Sequence, residues 1–218
     1  MLPRLVAISA GNQSKQAAPG ARQDFLTAVS AAVESGLPAL MLREPLLSDR
    51  DYTALAQEVR ALMDGRFFIL HDRPHLVGAV DADGVHLSFR GLPAPVVRDM
   101  LPSGCMLGTS AHQGDDASLH SVSDYCFAGP VWDTPSKRGL LEPLGVDGFA
   151  ALVRRLACPT YALGGVLPAH VPALLQAGAY GVATLGGWHP CGTGMAHDTR
   201  QATGQAVQAY LTALETST

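Results

Sequence analysis

Phe67-Phe68-Ile69-Leu70-His71-Asp72 is an apolar run closed by two polar residues. Four consecutive apolar residues with no polar alternation describe a strand that is covered on both faces, and the run ends in two residues that carry chemistry. Such strands belong to sheets with helices outside and packed side chains inside. Seven further runs of the same kind lie along the chain, so the strand candidates are 4–10, 39–44, 67–72, 84–89, 106–111, 125–131, 160–165 and 181–187. Segments of helical periodicity alternate with them at 21–35, 49–63, 75–80, 93–101, 115–121, 146–157, 169–177 and 199–214. Strict alternation favours parallel strands. Dividing 218 residues by eight gives about 27 per unit, near the roughly 30 that a strand–crossover–strand motif needs. Eight units close most naturally into a single (β/α)8 TIM barrel spanning 1–218, with no linker dividing the chain. An open doubly wound sheet is the alternative.

Composition narrows the function classes. Apolar residues make up 47% of the chain and charged residues 16%, against roughly 25% charged in an average soluble protein, which excludes intrinsic disorder. Fifteen basic residues against nineteen acidic ones give a net charge of −4 with no long basic run. Binding to a nucleic-acid backbone is therefore not expected. Cys105, Cys126, Cys158 and Cys191 are too far apart for a C-x-x-C redox motif or a zinc knuckle, so reduced thiols are expected. The apolar segment 2–10 is too short for a signal sequence, and no run of about 18 apolar residues exists. A cytoplasmic protein with no membrane partner is the expectation.

Barrels place their chemistry at the C-terminal strand ends and in the loops that follow. There the sequence puts Arg43 and Glu44, His71 and Asp72, Ser88 and Arg90, Ser110 and His112, and the loop residues Thr134, Ser136 and Lys137. The seventh and eighth strands end in Leu163-Gly164-Gly165 and Leu185-Gly186-Gly187. A glycine pair can merely turn a strand into a loop. Two such pairs on adjacent strands, however, present unobstructed backbone N–H groups, the usual phosphate cradle of this architecture. The loop of Thr134, Ser136 and Lys137 offers hydroxyls and a cation for a second anion. Arg43, charged and at a barrel mouth, needs a partner that an anionic substrate or Glu44 can supply.

Several segments, taken in order, resemble the thiamin phosphate synthase and TenI superfamily of (β/α)8 barrels: Leu42-Arg43-Glu44, Ala82-Asp83-Gly84-Val85-His86-Leu87, Gly108-Thr109-Ser110, Gly129-Pro130-Val131 with Thr134-x-Ser136-Lys137, and Ala162-Leu163-Gly164-Gly165-Val166. In the synthases, a pyrimidine methyl diphosphate loses pyrophosphate and the nitrogen of a thiazole phosphate captures the cation. The resemblance implies that Arg43, Ser110, Thr134, Ser136 and Lys137 bind the diphosphate. It implies Asp72 as a magnesium ligand, with Gly164, Gly165, Gly186 and Gly187 holding the thiazole phosphate.

The departures from the synthase pattern concern the diphosphate and its metal. Pro45 stands in place of a lysine, His71 in place of an asparagine, and Met41 in place of a glutamine. Gly91 takes the position of the second magnesium aspartate and offers no side-chain ligand. This pattern resembles the TenI-like thiazole tautomerases, which move a proton on a carboxythiazole phosphate and need no metal. His112 and His71 are the candidates to shuttle that proton, since a histidine titrates near neutrality. A TenI-like thiazole tautomerase without cofactor is thus the leading expectation. An authentic synthase using Mg2+ is the alternative, and a non-catalytic paralogue that binds a precursor is the third reading. The partner in each case is a small phosphorylated thiazole, and a homodimer is compatible with the apolar composition.

Overall fold

The computed structural model describes residues 1–14, 17–134, 141–189 and 196–216. Eight strands, β1 (Leu5–Ile8), β2 (Ala39–Leu42), β3 (Phe67–His71), β4 (Gly84–Leu87), β5 (Met106–Ala111), β6 (Tyr125–Ala128), β7 (Thr160–Leu163) and β8 (Gly181–Thr184), form a closed barrel. Every neighbouring pair is parallel, and Leu5 opposite Val182 closes β1 onto β8. The chain is a single (β/α)8 barrel, as expected, and the open sheet is excluded.

Strand parity sorts the side chains into two cores. Val6, Ile8, Ala39, Met41, Ile69, Tyr125, Phe127, Tyr161 and Ala183 point inward and pack together along the barrel axis. Their alternating neighbours, such as Ala7, Leu40, Leu70 and Val182, meet the helices outside. Gly108 belongs to the inner set because a Cβ there would lie 2.1 Å from the Tyr125 ring. The N-terminal end of the barrel is stoppered by aromatic groups: the hydroxyls of Tyr161 and Tyr180 donate to the carbonyls of Pro3 and Leu2. The opposite end is the mouth.

The outer layer consists of α1 (Ala21–Glu34), α2 (Asp49–Leu62), α3 (Val77–Val80), α4 (Ala94–Met100), α5 (Gly145–Val153), α6 (Val171–Gln176) and α7 (Ala196–Glu215). The helix expected over 115–121 is instead a 3-10 turn, Ala117–His120. Asp116 caps its start, its carboxylate accepting the Ser118 N–H at 2.9 Å. In the third and seventh crossovers Pro74 and Pro168 open 3-10 turns ahead of α3 and α6, at the first-turn position where proline is tolerated. Most strands also stop one to three residues short of the expected ends. Gly164 and Gly165, at φ 96° and 65°, and Asp72, at φ 54°, have left the extended region and cannot continue a ladder.

Candidate active site

On the β1–β5 side of the mouth, Arg43 follows β2. Its backbone N–H donates to the Ser9 hydroxyl oxygen at 2.7 Å, and its guanidinium passes Gly11, where a Cβ would lie 2.8 Å from Nη1. Among the described residues that guanidinium makes no hydrogen bond or ion pair. Glu44 acts on it through charge alone, the Arg43 guanidinium helping to hold the Glu44 carboxyl down without a hydrogen bond between them. The Glu44 carboxylate is buried and accepts the N–H groups of Gln13 at 2.8 Å and Gly11 at 3.3 Å, together with the Ser9 hydroxyl. Burial pushes the Glu44 carboxyl above its ordinary pKa, against the pull of those donors. Glu44 therefore shapes the loop after β1 and leaves Arg43 available to an anion.

Asp72 is also engaged within the protein. One carboxylate oxygen accepts the Ser88 N–H at 2.8 Å, the other accepts the Ser88 hydroxyl at 2.6 Å, and His71 Nδ1 stands 3.4 Å away. A Cβ at Gly91 would lie 2.8 Å from the same carboxylate, so the loop after β4 folds directly onto it. The described residues contain no group of three or more His, Cys, Asp or Glu side chains that could hold a metal ion. Asp72, the one candidate ligand, holds the loop after β4 through Ser88, and each of its oxygens keeps a lone pair with which it would bind Mg2+ beside substrate phosphate and water.

Below Ser110, His86 is buried, with Nε2 3.0 Å from the Ser110 hydroxyl and its ring stacked on Phe127 at 4.2 Å. Nδ1 is buried with no partner. Burial, with the charge of His71 as a lesser cause, pushes its pKa well below the ordinary 6.5, so His86 is neutral in the folded protein. The sign for stability follows. As pH falls below about 6.5 the unfolded chain takes up a proton that folded His86 refuses, and stability drops by up to about 1.4 kcal/mol per pH unit. Urea unfolding of wild type and His86→Gln between about pH 5 and 7 checks this: the wild-type slope is the steeper, and parallel slopes would refute the assignment.

His112 lies beyond the end of β5. Its N–H donates to Asp115 Oδ2 at 2.7 Å, its ring Nδ1 is 3.5 Å from the same oxygen, and Phe89 packs edge-on against it. His71, at the end of β3, and His112, just past β5, each stand beside their own carboxylate and belong to separate contacts.

The β6–β8 side holds the glycine turns. Trp132 N–H donates to the Gly164 carbonyl at 3.0 Å and Val131 N–H to that of Leu163 at 2.9 Å, which brings the loop carrying Thr134 alongside them. Among the described residues the N–H groups of Gly164, Gly165 and Gly186 meet no acceptor. Gly187 behaves differently, because its N–H donates to Thr184 Oγ1 at 3.1 Å and is unavailable to an anion. Tyr210 of α7 ties the two turns together: its hydroxyl donates to the Val166 carbonyl at 2.8 Å and sits 3.4 Å from Thr184 Oγ1. Trp188 Nε1 donates to the Ile8 carbonyl at 2.8 Å and anchors the segment after Gly187. Ser136 and Lys137 lie outside the described residues.

A closed barrel with three free amides on two glycine turns and an unpaired arginine across the mouth has the architecture of an enzyme for small phosphorylated substrates. Comparison with known proteins gives the family. The sequence profile described as thiamine monophosphate synthase matches residues 12–187. A Geobacter sulfurreducens protein named "Putative thiamine-phosphate synthase" is 40% identical over 167 residues, covering 75% of this chain and 78% of its own. The thiamine-phosphate synthase of Moorella thermoacetica is 34% identical over 170 residues, covering 76% and 81%. Among solved structures, the thiamine phosphate pyrophosphorylase of Pyrococcus furiosus superposes with a TM-score of 0.78 at 22% identity, covering 98% of this chain and 96% of that one. The chain belongs to the thiamine monophosphate synthase family, a family of enzymes. These relatives favour the synthase alternative over the tautomerase that the sequence departures suggested. No described helix is long and apolar enough to cross a membrane.

Proposed function

We propose that this chain is a cytoplasmic thiamine-phosphate synthase, joining hydroxymethylpyrimidine diphosphate to a thiazole phosphate with release of pyrophosphate. The observation that carries the reading is the likeness, over about three quarters of the chain, to proteins named for this activity. The mouth supplies an anion site on each side. Gly164, Gly165 and Gly186 receive the thiazole phosphate on backbone N–H groups and orient the ring nitrogen. Arg43 receives the diphosphate, with Ser110 and Thr134 as hydroxyl donors and Ser136 and Lys137 completing the set. In the reaction the bond from the pyrimidine methylene carbon to the diphosphate oxygen breaks, that oxygen keeps the electron pair, and the thiazole nitrogen forms the new C–N bond. Negative charge grows on the leaving diphosphate, where a fixed guanidinium stabilises it without reorganisation. Neutral His86 adds no positive charge beneath the developing cation.

Mg2+ is what the synthase reading implies; Asp72 would hold it together with the diphosphate and water, and there it would neutralise charge on the leaving group. Gly91, which offers no second carboxylate beside Asp72, favours a second reading, the metal-free tautomerase with His112 or His71 moving the proton. One assay separates them. The purified protein, given both synthase substrates with Mg2+, forms thiamine phosphate and pyrophosphate. Absence of product, together with conversion of the carboxythiazole phosphate tautomer, would overturn the synthase assignment.

A further inference from the structure

Away from the mouth, Cys126 on β6 faces the outer helices and Cys158 stands just before β7. Their sulfurs are 3.3 Å apart. The backbones around them are already one rung of the sheet, since the Cys126 N–H donates to the Pro159 carbonyl at 2.9 Å. Both thiols are free. Cys126 is fully buried and Cys158 is partly open to solvent, so an oxidant can reach only the second directly.

We propose that Cys126 and Cys158 form a reversible dithiol–disulfide site whose oxidant is a hydroperoxide. The Cys158 thiolate attacks the terminal peroxide oxygen, the O–O bond breaks, and Cys158 becomes a sulfenic acid as the leaving oxygen departs as water or alcohol. The Cys126 sulfur then attacks the sulfenic sulfur, the S–S bond forms, and hydroxide leaves with the Cys126 proton as water. With hydrogen peroxide the sum is two thiols plus one peroxide giving one disulfide and two waters. Bond formation needs the sulfurs to close from 3.3 Å to about 2.05 Å. The hydrogen bond between the two sulfurs holds the Cys158 thiol below its ordinary pKa and pushes that of Cys126 up, burial adding to the latter. The division of labour follows from those positions: an exposed, thiolate-prone sulfur attacks first, and a buried neighbour resolves. Cys105 is buried elsewhere and contacts neither.

The test is a thiol count. Reduced full-length protein is treated with a small molar excess of hydrogen peroxide, quenched, denatured in iodoacetamide and weighed intact. Alkylatable thiols fall from four to two, dithiothreitol restores all four, and peptide mapping finds Cys126 joined to Cys158. In Cys158→Ser the same treatment forms no crosslink. In Cys126→Ser the Cys158 sulfenic acid persists and is trapped by dimedone. Four thiols retained in the wild type, a link to Cys105 or Cys191, or Cys158 advancing to sulfinic acid while Cys126 stays alkylatable would each overturn the proposal.

Discussion

Arg43→Ala lowers synthase kcat/KM about 100-fold, the scale set by removing one fixed donor from a developing anion in a sheltered site. The structure makes the variant clean. The Arg43 side chain has no hydrogen bond or ion pair among the described residues, so truncation orphans no buried group. The loop beside it is held by Glu44 and Ser9, with only the backbone of Arg43 taking part. Unfolding free energy should therefore change by less than about 0.5 kcal/mol. Arg43→Lys keeps the charge but loses the two-pronged geometry that matches phosphate oxygens, and recovers only part of the rate. Steady-state kinetics on both substrates, with urea unfolding as the control, read the result. A kcat/KM within about threefold of wild type would remove Arg43 from the diphosphate site.

Why Arg43 is visible in the sequence, when much of its surroundings is not, comes down to which interactions are local. A run such as Phe67–Leu70 announces a doubly covered strand because parity and burial act residue by residue. Eight such runs suffice for the barrel, and a strand-terminal arginine or glycine pair then falls at the mouth by position alone. What escapes a reading of the chain is the partner that arrives from a distance. Glu44 sits beside Arg43 in sequence and reads as its counter-ion. In the structure its oxygens serve amides some thirty residues earlier, at Gly11 and Gln13. Asp72 reads as a metal ligand, and nothing in the chain shows that it also ties down the loop after β4 through Ser88, sixteen residues on. Tyr210 is an unremarked aromatic of the last helix until its hydroxyl meets Val166, forty-four residues away. The short 3-10 turn at Ala117–His120 failed for the opposite reason. There, a helical periodicity of only two turns ends as one 3-10 turn, capped by Asp116, because so short a helix has little cooperative support.

Gly186 and Gly187 carry the same sequence signal, and substitution should separate them. At Gly186 a Cβ meets nothing within 4 Å and φ is not left-handed, so alanine costs the fold little. The methyl group enters the space that the proposed thiazole phosphate approaches, and KM for that substrate rises roughly tenfold, about 1.4 kcal/mol of binding. At Gly187 a Cβ would lie 2.2 Å from the Tyr210 hydroxyl oxygen and 2.6 Å from Thr184 Oγ1. Tyr210 cannot withdraw, being buried and bound to the Val166 carbonyl. Forcing a methyl group into such a contact costs about 1–3 kcal/mol, and in a chain of this length each kcal/mol lowers the unfolding midpoint by roughly 2–4 °C. Gly187→Ala therefore unfolds earlier by several degrees, while its effect on thiazole phosphate KM stays smaller than that of Gly186→Ala. Thermal melts and substrate titrations on the two variants make the comparison. If Gly186→Ala binds the thiazole phosphate as wild type does, the anion does not rest on the turn after β8, and the three free amides serve some other purpose.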